Sequence, residues 1–133
     1  GEIYYLVFNE TQLRSIGGSI YGLDKNYMQQ CDIELSADEW APIGTRENPF
    51  TGSYNGNGFE IKGLTMVDPY ASLVGMFGCA KGANIYNITL RDYDIEKAGS
   101  LAKGKSVAPI AAVTLGSETG ATQCYDNAVY PKE

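Results

Sequence analysis

Three carboxylates alternate along one short stretch of the chain and offer oxygen ligands for a cation. Asp92, Asp94 and Glu96 are separated by single residues, so on an extended strand they would lie on one side. Calcium is bound by oxygen ligands of this kind. The spacing of an EF-hand loop is missing, and Arg91 and Lys97 flank the run, so a solvated strand face is the alternative interpretation. These three residues are our calcium candidates, and we expect no other cofactor.

Tyrosine occurs ten times and offers a second route to binding. An exposed tyrosine ring can stack on a sugar or contact a protein partner. Six tyrosines are candidates for exposure: Tyr4, Tyr70, Tyr86, Tyr93, Tyr125 and Tyr130. Tyr86 and Tyr125 each directly follow an apolar residue, which predicts outward rings, and with Tyr93 they form our candidate binding surface. The alternative is that these rings cover neighbouring segments of the chain.

The residue types argue against catalysis. Histidine is absent, which removes Ser-His and Cys-His nucleophile pairs and the commonest transition-metal ligand. Cys31, Cys79 and Cys124 lie far apart without a C-x-x-C pair, so we expect three buried thiols rather than zinc ligands. The motif Gly56-x-Gly58 is typical of a tight turn rather than of a nucleotide-binding loop, because no helix follows it. We predict that the chain is not an enzyme.

The composition indicates a globular domain rich in strands and turns. Hydrophobic residues make up 44% of the 133 residues and charged residues 20%, with sixteen glycines. The net charge of −6 opposes binding to nucleic acid and to anionic membranes. The apolar run over residues 3–8 is too short for a signal peptide core or a membrane span. Because the sequence starts at Gly1 rather than Met, we expect a fragment of a larger protein.

Local patterns predict the elements that must position these residues. Residues 3–8 read as a strand, and a short helix should follow over residues 9–16, with Asn9 and Gln12 spaced as a capping box. Residues 27–35 alternate between apolar and polar types, which predicts a strand with one buried face. Gln29 falls on that buried face and would need hydrogen-bond partners there.

One pattern recurs along the chain. Ile61 and Leu64 are matched by Ile85 and Ile88, in each case 24 residues later (85 − 61 and 88 − 64). A degraded third copy places Cys124 at the position of Ile88. A repeat of this length, made of short strands and turns, is typical of a β-solenoid whose coils stack about 4.8 Å apart. We therefore expect two inward columns, Ile61–Ile85–Ala121 and Leu64–Ile88–Cys124. A β-sandwich with coincidental spacing is the alternative.

Several blocks of the chain match one family of proteins. They are Trp40-Ala41-Pro42-Ile43-Gly44, the run PFTGSYNGNG over residues 49–58, Gly75-Met76-Phe77-Gly78 and Gln123-Cys124-Tyr125. Over residues 3–130 the sequence resembles the front end of bacterial surface proteins that carry GLUG repeats, in which G-L-x-G segments and then an N-C-Y segment follow this front end. The segment over residues 109–112 departs from G-L-x-G at both glycines.

The resemblance implies a fold and a cellular location. It implies an exported right-handed parallel β-helix displayed on a bacterial surface, as in adhesin-like proteins and beside the peptidase domain of IgA-protease-like enzymes. We expect an all-β fold, a solenoid of about four short coils with a short N-terminal capping helix. The predicted single domain spans residues 1–133, with a strand and helix cap over 1–25 and coils over 26–133. An insertion is expected near 91–106.

The expected function is a non-catalytic structural or adhesive module of an exported bacterial cell-surface protein. It would present loops, chiefly 91–106, to a host protein or glycan, with no nucleic-acid partner and no membrane insertion in this segment. The end of the last coil would expose a strand edge, so we expect either continuation of the coils in the full-length protein or end-to-end contact between copies, a form of self-association. The alternative is a carbohydrate-active β-helix enzyme, a polysaccharide lyase or hydrolase, with a basic residue as proton abstractor. The spacing selects none of its candidates, Arg46, Arg91, Lys103 and Lys105.

Overall fold

The computed structural model describes residues 2–100 and 104–133, and in these residues the protein is built mainly from parallel β-strands. Every ladder between two strands in these ranges is parallel, which confirms the all-β class. The elements in chain order are β1 (Tyr4–Val7), α1 (Glu10–Arg14), β2 (Asn26–Gln29), β3 (Ile33–Glu34), β4 (Ser53–Asn55), β5 (Glu60–Lys62), β6 (Leu73–Val74), β7 (Phe77–Lys81), β8 (Asn84–Tyr86), β9 (Thr89–Tyr93), α2 (Glu96–Gly99), β10 (Ser106–Val107), β11 (Ala111–Leu115), β12 (Gln123–Tyr125) and β13 (Ala128–Pro131). Neither helix is long and apolar enough to cross a membrane.

Strands that are neighbours in space are distant in sequence. The first sheet has the order β1-β2-β4-β8-β12, and the second has the order β3-β5-β9-β13. Two smaller sheets pair β6 with β10 and β7 with β11. From β4, and again from β8, the chain passes to the second sheet, then to the two smaller pairs, and returns to the first sheet. Each return adds a parallel strand beside the previous one.

The register differs from the predicted 24-residue repeat. In the first sheet Ile85 lies between Tyr54 and Cys124, whereas in the second sheet Ile61 lies beside Leu90. Ile61 and Ile85 therefore belong to different sheets, and the predicted column that joined them is wrong. The second predicted column is wrong as well, because Cys124 stacks on Ile85 rather than on Ile88.

The length of a circuit is not constant along the chain. It grows from 22 residues between Tyr5 and Tyr27 to 39 between Ile85 and Cys124 (27 − 5 and 124 − 85). The extra residues enter the segments between strands, which tolerate insertion because they do not pack in the ladders. A repeat of constant length therefore does not predict which residues pair in neighbouring strands of this protein.

The first sheet buries a column of aromatic residues. Tyr27 and Tyr54 are neighbours in that column and are fully buried. Phe50 and Phe77 complete the aromatic cluster with ring centroids 5.0 Å apart. Rings at this separation add attraction to the burial of their apolar area.

Gln29 is the one buried polar side chain identified within the described ranges, and it is fully hydrogen-bonded. Its Nε2 donates to the carbonyl oxygens of Cys31 at 3.0 Å and Glu60 at 3.1 Å. Its Oε1 accepts the hydroxyl proton of Tyr54 at 2.9 Å. This arrangement meets the requirement predicted from the sequence, because each polar atom of the amide has a partner.

Helix α1 follows β1 and begins at the predicted cap. The Asn9 side chain accepts a hydrogen bond from the backbone of Gln12 at 2.9 Å, and the Gln12 side chain accepts one from the Phe8 amide at 2.7 Å. Leu13 and Ile16 are buried beneath the helix and its last turn. The helix is shorter than predicted, because residues 15–17 form a turn and Gly17 has a φ of 106°.

Hydrogen bonds fix α1 on the segment that follows β3. Glu10 accepts hydrogen bonds from the amide and hydroxyl of Ser36 and from Arg14. The Arg14 guanidinium also donates to the carbonyl oxygens of Asp38 and Glu39, and it lies 5.2 Å from the ring centroid of Trp40. The helix therefore covers the N-terminal end of the second sheet.

Left-handed residues make the corners between the first and second sheets. Asn57, Asn87 and Asp126 follow β4, β8 and β12 and have φ values of 58°, 56° and 55°. Asn and Asp tolerate this conformation better than other residues with a side chain. At the first of these corners Gly56 approaches the next circuit so closely that a Cβ would collide with the carbonyl oxygen of Asn87.

The segment near 91–106 only partly leaves the ladders. β9 runs to Tyr93, and the next residue, Asp94, forms a parallel bridge with Thr65. α2 then buries Ala98. The Lys105 ammonium group donates hydrogen bonds to the carbonyl oxygens of Pro69 and Ala98, both at 2.6 Å, and so connects residues near Lys105 to α2 and to the loop before β6. Lys103, one of the basic candidates, lies outside the described residues.

Candidate functional site

The outer surface of the first sheet carries two rows of side chains. One row runs Tyr4–Asn26–Ser53–Asn84–Gln123, and the other runs Leu6–Met28–Asn55–Tyr86–Tyr125. Because side chains alternate along a strand, both rows point away from the buried column between them. We call this surface, made of these ten residues, the tyrosine face.

Tyr86 and Tyr125 meet on the tyrosine face. They are directly paired in adjacent strands, and their rings stack with centroids 5.0 Å apart and planes 4° from parallel. The strand spacing of about 4.8 Å sets this distance. Tyr125 is 44% exposed, and Tyr86 is partly covered. The stack turns one face of each ring towards the other, so a ligand would meet the ring edges and the outer face of Tyr125.

The pKa values of two phenols on this surface, Tyr86 and Tyr4, are raised. Burial raises the pKa of Tyr86, and the nearby Tyr125 and Glu2 raise it further. The pKa of Tyr4 is also raised, first by its hydrogen bond to the Glu2 carboxylate at 2.8 Å. Protonated phenols both donate and accept hydrogen bonds. These two tyrosines therefore offer neutral hydroxyl groups close to the Glu2 carboxylate.

Amide and hydroxyl groups extend the polar part of this surface. The side chains of Asn84 and Gln123 are exposed and lie two residues before Tyr86 and Tyr125 in the same strands. Ser53 is already bound, since its hydroxyl donates to the Asn26 side chain at 2.8 Å. The arrangement combines aromatic edges with neutral donors and acceptors over three adjacent strands.

The structure brings together two of the three predicted tyrosines. Tyr93 ends β9 in the second sheet, where it packs partly buried against the core, so it does not join Tyr86 and Tyr125. Tyr4, one of the six candidates for exposure, takes its place on the tyrosine face. The sequence signal for Tyr4 is its alternation with the inward Tyr5, but its proximity to Tyr86 depends on a register that the sequence does not state.

The three calcium candidates do not share one side of a strand. Asp92 has a φ of 54°, which interrupts the alternation, and Glu96 begins α2. Asp92 lies 3.8 Å from the Lys62 ammonium, and Asp94 accepts a hydrogen bond from the Glu96 amide at 3.4 Å. In the described ranges no group of three or more Asp, Glu or Cys side chains is placed to hold a metal ion. The extended geometry behind the calcium hypothesis is thus not present, and calcium binding itself stays a prediction.

The cysteines differ in exposure, contrary to the prediction of three buried thiols. Cys79 is buried, Cys31 is partly covered and Cys124 is exposed, and all three are free thiols. Cys124 occupies an inward position, but it belongs to the last strand of the first sheet, so no further strand covers it. Although Cys124 is exposed, the protein around it partly desolvates the thiol and raises its pKa, which disfavours the reactive thiolate.

A groove of about 590 Å³ lies at the N-terminal end, between residues 14–23 and the loop over 42–48. Arg14 is the one charged residue in its lining. That guanidinium is already bound to Glu10 and to the carbonyl oxygens of Asp38 and Glu39. The groove therefore offers little charge to hold an ionic ligand.

Comparisons with protein-family models, curated proteins and solved structures find no match to this chain.

Proposed function

We propose that the chain is a right-handed parallel β-helix module of an exported bacterial surface protein. The cyclic order of the strands supports this fold, because each circuit places one new parallel strand in the same sheets. The helix α1 would be the N-terminal cap of the solenoid. In this proposal the module is non-catalytic and serves as a rigid support with a binding surface.

The tyrosine face is the proposed binding surface, and its ligand is a neutral glycan. The observation that carries this proposal is the Tyr86–Tyr125 stack with exposed amides beside it. Aromatic rings give apolar contact to the C–H faces of sugars, while phenols and amides bond to sugar hydroxyls. A net charge of −6 disfavours anionic polysaccharides.

A glycan panel tests this function directly. The purified chain should bind at least one neutral oligosaccharide, and Tyr125→Ala should weaken that binding about tenfold through loss of the exposed ring. Tyr70→Ala is the matched control, because Tyr70 is 92% exposed and lies outside the tyrosine face. Affinity would be measured by isothermal titration calorimetry.

The result that contradicts the proposal is equally specific. Absence of binding across the neutral panel, or equal losses in Tyr125→Ala and Tyr70→Ala, would remove the tyrosine face as the site. The same panel should be assayed for new reducing ends or unsaturated products, with and without calcium. Turnover there would favour the alternative, a polysaccharide lyase or hydrolase.

A further inference from the structure

Two Asn-Gly steps follow one another at the corner between β4 and β5. They are Asn55-Gly56 and Asn57-Gly58. An asparagine that precedes glycine loses its side-chain amide readily, because glycine has no side chain to hinder attack by its backbone nitrogen. In an unfolded chain the two steps should therefore react at similar rates. In the folded protein their surroundings differ.

The first step, Asn55-Gly56, is held between stacked circuits. The Gly56 amide, which would be the attacking group, donates to the carbonyl oxygen of Tyr86 at 2.9 Å. Gly56 is buried, and its backbone approaches the Asn87 carbonyl so closely that a Cβ does not fit between them. The Asn55 Oδ1 atom accepts hydrogen bonds from the Asn57 amide at 2.8 Å and from the Asn87 side chain at 3.3 Å. Attack on Asn55 therefore requires the two circuits to separate.

The second step, Asn57-Gly58, forms the tip of the corner. Both residues are exposed, and within the described residues no atom beyond its chain neighbours lies within 4 Å of the place that a Gly58 Cβ would take. The Gly58 amide donates to the Asn87 carbonyl oxygen, and the Asn57 Nδ2 atom donates to the Gln29 carbonyl oxygen, both at 3.2 Å. These distances are at the long end of the range for N–H···O hydrogen bonds, and neither bond belongs to the β4–β8 ladder. The turn can therefore open while that ladder stays paired.

We propose that Asn57 is a site of spontaneous deamidation and that the fold protects Asn55 from the same reaction. The Gly58 backbone nitrogen gives its proton to water and forms a bond to the Asn57 Cγ atom. The Cγ–Nδ2 bond breaks, and Nδ2 takes back a proton and leaves as ammonia. Water then opens the five-membered succinimide ring at either carbonyl carbon, which gives aspartate or isoaspartate. The net reaction consumes water, releases ammonia and replaces a neutral amide by a carboxylate, with no change of oxidation state.

The modification loosens the corner at which it occurs. The product carboxylate at position 57 cannot donate to the Gln29 carbonyl oxygen, as the Asn57 amide does. Isoaspartate also adds a carbon atom to the main chain and so changes the turn that leads into β5. Asn55, in contrast, belongs to the tyrosine face, so its protection keeps an added carboxylate away from that surface. The proposal does not depend on glycan binding.

Peptide mapping by mass spectrometry tests the site and the protection together. The full chain is aged at mildly alkaline pH, once folded and once in concentrated urea, and fragmentation assigns the added mass to Asn55 or Asn57. In the folded protein Asn57 should react at least about tenfold faster than Asn55, whereas in urea the two rates should agree within about twofold. A preference for Asn57 below about tenfold in the folded protein would overturn the proposal. So would an equal preference in urea, because the local sequence rather than the fold would then be its cause.

A pair of substitutions tests the effect on the corner. Asn57→Asp reproduces the aspartate product and should lower the midpoint of urea unfolding at neutral pH, because the bond to the Gln29 carbonyl oxygen is lost. Asn48→Asp is the matched control, since it adds the same charge at an exposed position outside the corner and should leave the midpoint unchanged. An unchanged midpoint in Asn57→Asp, or an equal shift in both variants, would contradict the loosening of the corner.

Discussion

The buried bond between Tyr54 and Gln29 allows a sharp test of the core. Tyr54→Phe removes one hydroxyl and keeps the ring, so the Gln29 Oε1 atom, which accepts that proton at 2.9 Å, loses its partner. Both side chains are fully buried, so water cannot replace the hydroxyl without a rearrangement. An unsatisfied buried acceptor costs about 1–3 kcal/mol, and we expect the substitution to lower the free energy of unfolding by about 2 kcal/mol.

Tyr27→Phe provides the matched comparison within the same column. The Tyr27 hydroxyl donates to the carbonyl oxygen of Gly22 at 2.6 Å, but Gly22 is partly exposed. Water can therefore satisfy that carbonyl after the substitution, and the expected loss is about 0.5–1 kcal/mol. Burial raises the pKa of both tyrosines, which agrees with phenols that remain protonated in the folded state.

Urea unfolding followed by circular dichroism measures both variants. Gln29→Leu alone and combined with Tyr54→Phe completes a double-mutant cycle, and we expect a coupling energy of about 1 kcal/mol or more, because both residues belong to one hydrogen-bonded network. A free energy of unfolding for Tyr54→Phe within about 0.3 kcal/mol of the parent value would contradict a stabilising role for this hydrogen bond, and so would an equal loss in Tyr27→Phe.

Three other substitutions test the helix cap, a corner and the 91–106 segment. The pKa of Glu10 is lowered by its hydrogen bonds, so its contribution is present above the unfolded pKa and disappears as pH falls through the folded pKa. Urea unfolding at several pH values should show that Glu10→Gln costs about 0.5–1 kcal/mol at neutral pH and that its difference from the parent vanishes in acid. Gly56→Ala should cost about 3 kcal/mol or more in thermal or urea unfolding, because its Cβ meets the carbonyl oxygen of Asn87. Lys105→Met removes a cation from backbone carbonyls and should speed amide hydrogen exchange in α2 without a comparable change in the first sheet.

The sequence predicted the features that depend on near neighbours. The start of α1 followed from Asn9 and Gln12, because capping bonds join residues three or four positions apart. The need of Gln29 for partners was also predictable from its inward position. What the sequence could not name was Tyr54 as a partner, because the two residues belong to neighbouring strands. The single strand predicted over residues 27–35 is wrong, because the chain turns a corner there and forms β2 and β3 in two different sheets.

The pairing of the strands and the position of the tyrosine face depend on the length of each circuit, which local sequence patterns do not give. Two isoleucines with similar flanks suggested a 24-residue repeat, but Ile61 and Ile85 occupy equivalent-looking positions in two different sheets. Inward positions of both sheets favour the same apolar residues, so the local pattern does not distinguish the sheets. Tyr86 and Tyr125 could be named as outward residues, but their stack depends on a 39-residue circuit (125 − 86).

The corners between the first and second sheets explain how circuits of unequal length stay aligned. From the first sheet to the second the chain advances six, seven, five and five residues in successive circuits (33 − 27, 61 − 54, 90 − 85 and 129 − 124), and the last three corners contain left-handed residues. The corner is therefore nearly constant while the rest of the circuit lengthens. The added length lies on the far side, between a strand of the second sheet and the next strand of the first, where it does not shift the strands of the first sheet. Side chains can stack in long rows only where strands stay aligned, which places the tyrosine face on the least variable side of the protein.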